Sequence, residues 1–193
     1  LLQALVGPPT SLPQATLNDV IAKVPPTRLA EHSLISCDPE VRVRHARGQS
    51  LPDWLEMHSG DVNTFPDGVA MPESSEQVRM LLDHAKANDI VVIPYGGGTS
   101  VVGHINPDES ERAVLTIDMG KMNKLLHIDT ESQLATFGSG IAGPALEAAL
   151  NGHGFTLGHF PQSWELSTLG GWVASRSSGQ QSIHYGRIEN LFA

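Results

Sequence analysis

The chain has 193 residues, 40% of them hydrophobic and 17% charged, which is enough apolar content to bury a core and to exclude global disorder. Its length holds one good-sized domain or two small ones. The formal net charge of −9 argues against nucleic acid and anionic lipid as partners.

Residues 1–60 carry prolines at 8, 9, 13, 25, 26, 39 and 52 with short amphipathic stretches between them, and read as an N-terminal arm with one or two short helices. Leu1–Gly7 has no basic leader and is soon broken by Pro8, Pro9 and Pro13, so a signal peptide is not expected. There is no initiating Met, and the chain reads as beginning inside a longer one. Cys37 is the single cysteine, which leaves no intrachain disulfide and no cysteine-rich zinc site and fits a reducing, cytoplasmic setting. Arg42, Arg44, His45 and Arg47 form a small basic group, read as a solvated face with ion pairs rather than a phosphate site. No apolar run approaches the roughly 18 residues of a membrane span.

A second unit spans residues 61–193, with β-α alternation from Val69. "MPESSEQVRMLLDHAKAND" reads as a helix: Ser74 is its N-cap, Gln77 completes a capping box, and Val78, Leu81, Leu82 and Ala85 form one apolar stripe. Asn88 is its left-handed terminator. Ile90–Ile93 reads as a buried strand, followed by strands at Ala113–Ile117, Leu125–Ile128 and Leu134–Phe137. Gly143-Pro144 opens a short helix with Pro at its first position, and Asn151-Gly152 closes it. Short strands and helices without a strict βαβ rhythm point to α+β, or to α/β in two small lobes.

Two glycine motifs compete for a ligand. "GSGIAG", Gly138–Gly143, fits G-x-G-x-x-G between a strand and a helix, the pattern of an NAD-binding turn. However, Pro144 delays the helix beyond the third glycine, and no acidic residue follows the next strand to hold a ribose. A tight turn is the simpler reading. "GGGTS", Gly96–Ser100, can instead curl its amides into an anion-binding nest, with hydroxyl donors from Thr99 and Ser100. No Lys follows the glycines, so it is not a Walker loop. On local chemistry alone, the nest and a plain turn are equally good readings.

"GHFPQSWELSTLGGWVASRSSG", Gly158–Gly179, interleaves Ser163, Ser167, Thr168, Ser175, Ser177 and Ser178 with Gly170, Gly171 and Gly179. Such a segment suits a large, planar, partly apolar ligand with a phosphate tail. A serine-rich loop beside a tightly packed glycine pair is the alternative. The nine histidines do not cluster at metal-ligand spacing, so no metal is expected, and His153 and His159 read as structural.

Together, "PYGGGTSVVGH" and "GHFPQSWELSTLGGWVASRSSGQQSIHYGRIENL" resemble the flavin-binding domain of the vanillyl-alcohol oxidase / p-cresol methylhydroxylase superfamily. Within it they are most similar to the alkyldihydroxyacetonephosphate synthases and bacterial FAD-linked oxidases. The similarity runs from about Val62 to the end, and more weakly back to Arg44–Trp54. It implies an α+β, two-lobed FAD-binding domain whose second lobe is incomplete here. In the family the glycine loop holds the FAD pyrophosphate, which implies Pro94, Tyr95, Gly96, Gly97, Gly98, Thr99 and Ser100. The synthases' "DSxEFST" segment corresponds to Gln162–Thr168, implying Gln162, Ser163, Glu165, Ser167 and Thr168. Gln162 stands where they have Asp, keeping hydrogen bonds but losing charge, and Leu166 where they have Phe.

The "STRAS" segment corresponds to Ala174–Ser178, so Gly171, Ser175, Arg176, Ser177 and Ser178 are implied along the flavin or its phosphates. Arg176 would balance pyrophosphate charge or tune the flavin; a salt bridge at a helix end is its alternative role. "GSGIAG" falls beside the cofactor, where its glycines would touch FAD without being Rossmann glycines. Gly98-Thr99 occupies the place where covalent family members carry an attaching His, and Cys37 is distant, so FAD is expected to be non-covalent. His104 reads as a surface or packing residue.

In the family a substrate-cap domain follows. This chain ends at "RIENLFA", so it reads as an N-terminal fragment with its catalytic residues expected downstream of Ala193. Alone it is expected to be inactive, to hold FAD weakly or not at all, and to self-associate through its uncovered lobe as a homo-oligomer. The resemblance implies an enzyme that acts on a small-molecule or lipid-like substrate. The motifs favour the synthase reaction of ether lipid biosynthesis, exchange of an acyl chain for a fatty alcohol on dihydroxyacetone phosphate through a flavin adduct. Oxidation of a 2-hydroxy acid such as lactate or glycolate is the alternative, and a non-catalytic, flavin-free binding module is another.

Overall fold

The computed structural model describes Leu5, Gly7, Pro8, Ser11 and residues 13–193. Residues 13–60 hold three short helices, not one or two. α1 is Leu17–Ile21, α2 is Pro39–Arg44 and α3 is Leu51–Ser59. Each starts on a side-chain oxygen: Thr16 and Ser50 close capping boxes with Asp19 and Asp53, and Asp38 caps the Val41 amide. α3 stops at Gly60, whose φ of 73° favours glycine.

Between α1 and α2, the two-residue strand β1, Ile35–Ser36, pairs antiparallel with β2, Gly68–Ala70. α4, Ser75–Ala87, then leads to β3, Val91–Tyr95, and a long crossover leads to β4, Val114–Asp118. The sheet order is β1-β2-β4-β3, with β2, β4 and β3 parallel. β3 is therefore an edge strand. Four of its five residues are half-buried and Pro94 is exposed, where it sits at little cost in ladder bonds.

α4 forms much as its periodicity predicts, with two corrections in detail. Ser74 Oγ accepts the Gln77 amide at 3.2 Å, but Gln77 Oε1 reaches past Ser74 to the Glu73 amide at 2.7 Å. The chain leaves the helix through Asp89, at φ 51°, while Asn88 keeps an ordinary φ of −111°. Leu81 and Ala85 face the core; Leu82 turns outward and is 48% exposed. Leu81, Ala85, Ile90, Leu115 and Ile117 make the core under this sheet.

The arm residues pack onto this unit. Val20 and Ala46 join Val62 and Phe65 in a small core of their own. The basic group is mostly not a solvated face. Arg42 is 2% exposed and donates to the Pro66 and Pro25 carbonyls at 2.6 and 2.7 Å. Burial pulls its guanidinium below the ordinary value, with Asp67 acting against that. Arg47 is bridged to Glu56 at 2.6 Å, and only Arg44 makes an exposed pair, with Glu40.

The second region begins with a hairpin of β5, Leu125–Asp129, and β6, Leu134–Phe137. α5, Gly143–Asn151, follows with Pro144 at its second residue, then α6, Leu169–Ser175, and α7, Ser182–Tyr185. Ile141, Leu146, Leu150, Trp172 and Ile188 form the core beneath them. No helix of the described residues is long and apolar enough to cross a membrane.

Candidate functional site

β2, β4 and β3 end on the same side of their parallel sheet, the side where open α/β sheets form crevices. The loop Gly96–Ser100 leaves the end of β3 there, and its glycines have separate causes. A Cβ on Gly96 would strike Thr168 Oγ1, and one on Gly97 would strike the Leu166 carbonyl. Gly98 has a φ of 68°, and the Tyr95 hydroxyl fills the space beside it. So Gly96 and Gly97 first serve close packing against residues 166–168, and the bare backbone there is a consequence. Among the described residues, none of the five amides from Gly96 to Ser100 donates to a protein acceptor.

Tyr95 and Asp118 stand behind the loop. Burial, then the Asp118 charge, pushes the Tyr95 phenol up. His45 packs on the Tyr95 ring at 4.6 Å between centroids and bonds Asp118 at 3.0 Å.

The facing wall comes from residues 161–177. Ser167 is 6% exposed; its Oγ donates to the Ser163 carbonyl at 2.9 Å and accepts Trp172 Nε1 at 2.7 Å. Thr168 caps α6 by accepting the Gly171 amide at 3.3 Å. Ser175 donates back to the Gly171 carbonyl at 2.8 Å, and Ser177 is hydrogen-bonded to His159 Nε2 at 2.8 Å. Burial alone pushes the His159 imidazole down, and that ring is 1% exposed. Much of the serine pattern therefore stabilises the wall before it meets any ligand.

"GSGIAG" supplies the edge between the walls. A Cβ on Gly138 or Gly140 would strike the Met122 or Met119 carbonyl, which explains both glycines as close turns. Between them, Ser139 Oγ is buried without a hydrogen-bond partner among the described residues. It lines the same cavity as the loop amides.

That cavity measures about 730 Å³, within the range of small-molecule sites. It brings together thirteen of the predicted residues: Pro94, Tyr95, Gly96, Gly97, Gly98, Thr99, Ser100, Ser163, Ser167, Thr168, Gly171, Ser175 and Ser177. Gln162 and Glu165 instead border a neighbouring cavity of about 350 Å³ beyond Pro161 and Ser163. Arg176 points away: it is exposed, paired with Glu189 at 3.2 Å, and takes a left-handed φ of 53° at the end of α6. Ser178 is off the lining. Sequence reasoning did not place Ser139, Met119, Ile105 or Trp172 at the cavity, and His104 also lines it, its Nδ1 bonded to Ser100 Oγ at 3.1 Å. For Ser139 a signal existed, a lone hydroxyl between two turn glycines.

Among the described residues the lining contains no Asp, Glu, Lys or Arg, although the chain carries a net charge of −9. Its free donors are main-chain amides and hydroxyls, and its remaining surface is largely Val, Ile, Met, Pro and Trp. A ligand with an anionic diphosphate and a flat aromatic system fits this donor set. The amides suit the phosphate oxygens without a repelling carboxylate, and the orphan Ser139 hydroxyl gains a partner.

The comparisons agree with this chemistry. The FAD binding domain family matches residues 66–193. An alkyldihydroxyacetonephosphate synthase of Dictyostelium discoideum is 40% identical, covering 96% of this chain and 29% of that protein. A solved alkyldihydroxyacetonephosphate synthase superposes with a TM-score of 0.86 at 38% identity, over 92% of this chain and 35% of that one. A mitochondrial cytochrome-type D-lactate dehydrogenase of Kluyveromyces lactis is 29% identical over 70% of this chain and 23% of its own length. The chain thus spans roughly a third or less of the relatives it matches. With its vanillyl-alcohol-oxidase-type fold and a cleft built from the two motifs, the chain belongs to the FAD binding domain family.

Proposed function

We propose that this chain is the FAD-holding portion of an alkyldihydroxyacetonephosphate-synthase-like flavoenzyme, with FAD bound non-covalently. The single observation that carries this reading is the run Gly96–Ser100, whose five amides have no protein acceptor among the described residues, lining one cavity with a wall of hydroxyls and, among those residues, no carboxylate. These amides would take the diphosphate, with Thr99 and Ser139 adding hydroxyl donors. Ser163 and Ser177 would face the rest of the cofactor, and Val101, Val102, Ile105 and Met119 would shed water from its flat part. Gln162 and Glu165 would act from the adjoining cavity. When bound, the isoalloxazine supplies the two-electron chemistry, and this part of the protein supplies binding, orientation and electrostatics.

Non-covalent binding is supported by His104, the lining imidazole, which is engaged by Ser100 and sits four residues past the loop.

Titration of the purified chain with FAD, read by flavin fluorescence, tests the reading. Saturable quenching is expected, with the flavin released into the supernatant on acid precipitation. A folded chain that leaves FAD fluorescence unchanged overturns the cofactor site, and flavin retained in the acid pellet overturns non-covalent binding. The D-lactate dehydrogenase relative supports the second reading, a 2-hydroxy-acid dehydrogenase. Bleaching of the bound flavin by D-lactate would put that reading first.

A further inference from the structure

The loop that carries the free amides lies outside any regular element, and five donors converge on one anion only if their backbone is held. The hold comes from the arm. The Gln49 amide donates to the Ser100 carbonyl, and Gly48 lies so close that a Cβ there would strike that same oxygen. Beyond Ser100 the chain turns back through Gly103, at φ 74°, and brings Asn106 against the arm. Asn106 Oδ1 accepts the Gly48 amide at 3.0 Å, and its Nδ2 donates to Asp53 Oδ1 at 2.6 Å. Asp53 is 2% exposed, and its other oxygen accepts the Ser50 amide and hydroxyl at 2.9 and 2.6 Å. The Asn106 side chain is thus a strut with an acceptor at one end and a donor at the other. Asp53 is buried and, when ionised, can only accept, so the atom facing it must be a donor.

We propose that Asn106, braced on Gly48 and Asp53, is a positioning residue for the diphosphate-binding amides, and that arm residues 45–53 belong to the cofactor site although the family match begins at residue 66. This rests on the FAD reading above. The physical reason is pre-organisation: a loop held in its bound shape does not lose that freedom when ligand arrives. His45, tied to Asp118 and packed at a tilt against Tyr95, braces the same loop from its strand end.

The polarity of the strut provides a test. Asn106→Ala removes both bonds. Asn106→Asp sets a carboxylate against a buried carboxylate. Adding Asp53→Asn reverses the pair: the amide introduced at position 53 would still accept from Ser50 while donating to the carboxylate introduced at position 106, which would still accept from Gly48. FAD dissociation constants are measured for the four proteins, with circular dichroism and thermal unfolding recorded separately. Asn106→Ala is expected to bind FAD about tenfold more weakly, the effect of losing one to two hydrogen bonds. Asn106→Asp should bind more weakly still, and the double variant should return to within about threefold of the unmodified protein. If folded Asn106→Ala binds FAD as the unmodified chain does, or the double variant binds no better than folded Asn106→Asp, the proposal is overturned. If Asn106→Asp does not fold, Asn106→Ala decides alone. An unmodified chain that does not bind FAD overturns the cofactor reading instead.

Discussion

In the four-stranded sheet, β4 buries four of its five residues between two parallel neighbours, whereas the β5–β6 hairpin has no buried residue. Leu115 is 0% exposed; Leu126 and Leu134 are 64% and 54% exposed. A parallel strand covered on both faces carries its own share of core, while a two-stranded hairpin is marginal without support. The hairpin's support comes from α5 and α6, whose core takes Ile128 and Phe137 against Ile141, Leu146 and Trp172. The cleft draws one wall from each region. The sheet offers a loop at a strand end, where backbone donors are free. The helical region offers hydroxyls whose first partners lie within its own turns.

The largest test of that contrast is core truncation. Leu115→Ala is expected to cost about 2–5 kcal/mol and Leu126→Ala no more than about 0.5 kcal/mol, measured by urea unfolding. Equal costs would mean that the hairpin carries as much of the core as the sheet.

The next test uses acid. Burial would raise the Asp67 carboxyl, but the Arg28 guanidinium and the Val114 and Arg28 amides outweigh that and hold it below the ordinary carboxylate value. The unfolded chain therefore binds this proton first. The stability from Asp67 is complete above a pH of about 4 and is lost as pH falls through the lowered native value. Asp67→Ala, which unpairs those donors, should cost about 1.5–3 kcal/mol at neutral pH and flatten the acid limb of the stability curve. An acid limb as steep as the unmodified protein's would assign the acid sensitivity elsewhere, with Asp53 the first candidate.

The smallest effect is expected at Arg176. Its side chain is 74% exposed and makes a surface pair with Glu189, so Arg176→Ala should leave the FAD dissociation constant within about twofold and change stability by about 0.5 kcal/mol or less. A tenfold loss of FAD affinity would bring Arg176 back to the cofactor and sharpen the role of the helical wall.

Features that depend on neighbours along the chain were legible before the fold was known. The stripe Val78, Leu81, Ala85 and the cap Ser74 specify α4 within one segment. The glycine loop and the serine segment stand out because few residue types tolerate such close backbone. What those residues contact was not legible. Gly96 and Gly97 read as space for a ligand but are used first to admit Thr168 and Leu166. Arg42 reads as a surface cation, yet it is buried against two proline carbonyls from distant turns. Gln162, Glu165 and Arg176 lie in the right segment but face other directions, because the turns at 161–166 and the left-handed end of α6 decide where side chains point.

Composition and periodicity thus determined most of the elements, since these arise from interactions a few residues apart, and the resemblance of two motifs pointed to the ligand. Tertiary structure alone decided that Asn106 meets Asp53 across 53 residues and that His45 packs on Tyr95. Those contacts depend on how separate elements pack, and no local pattern encodes a bond whose partners meet only after the chain has closed.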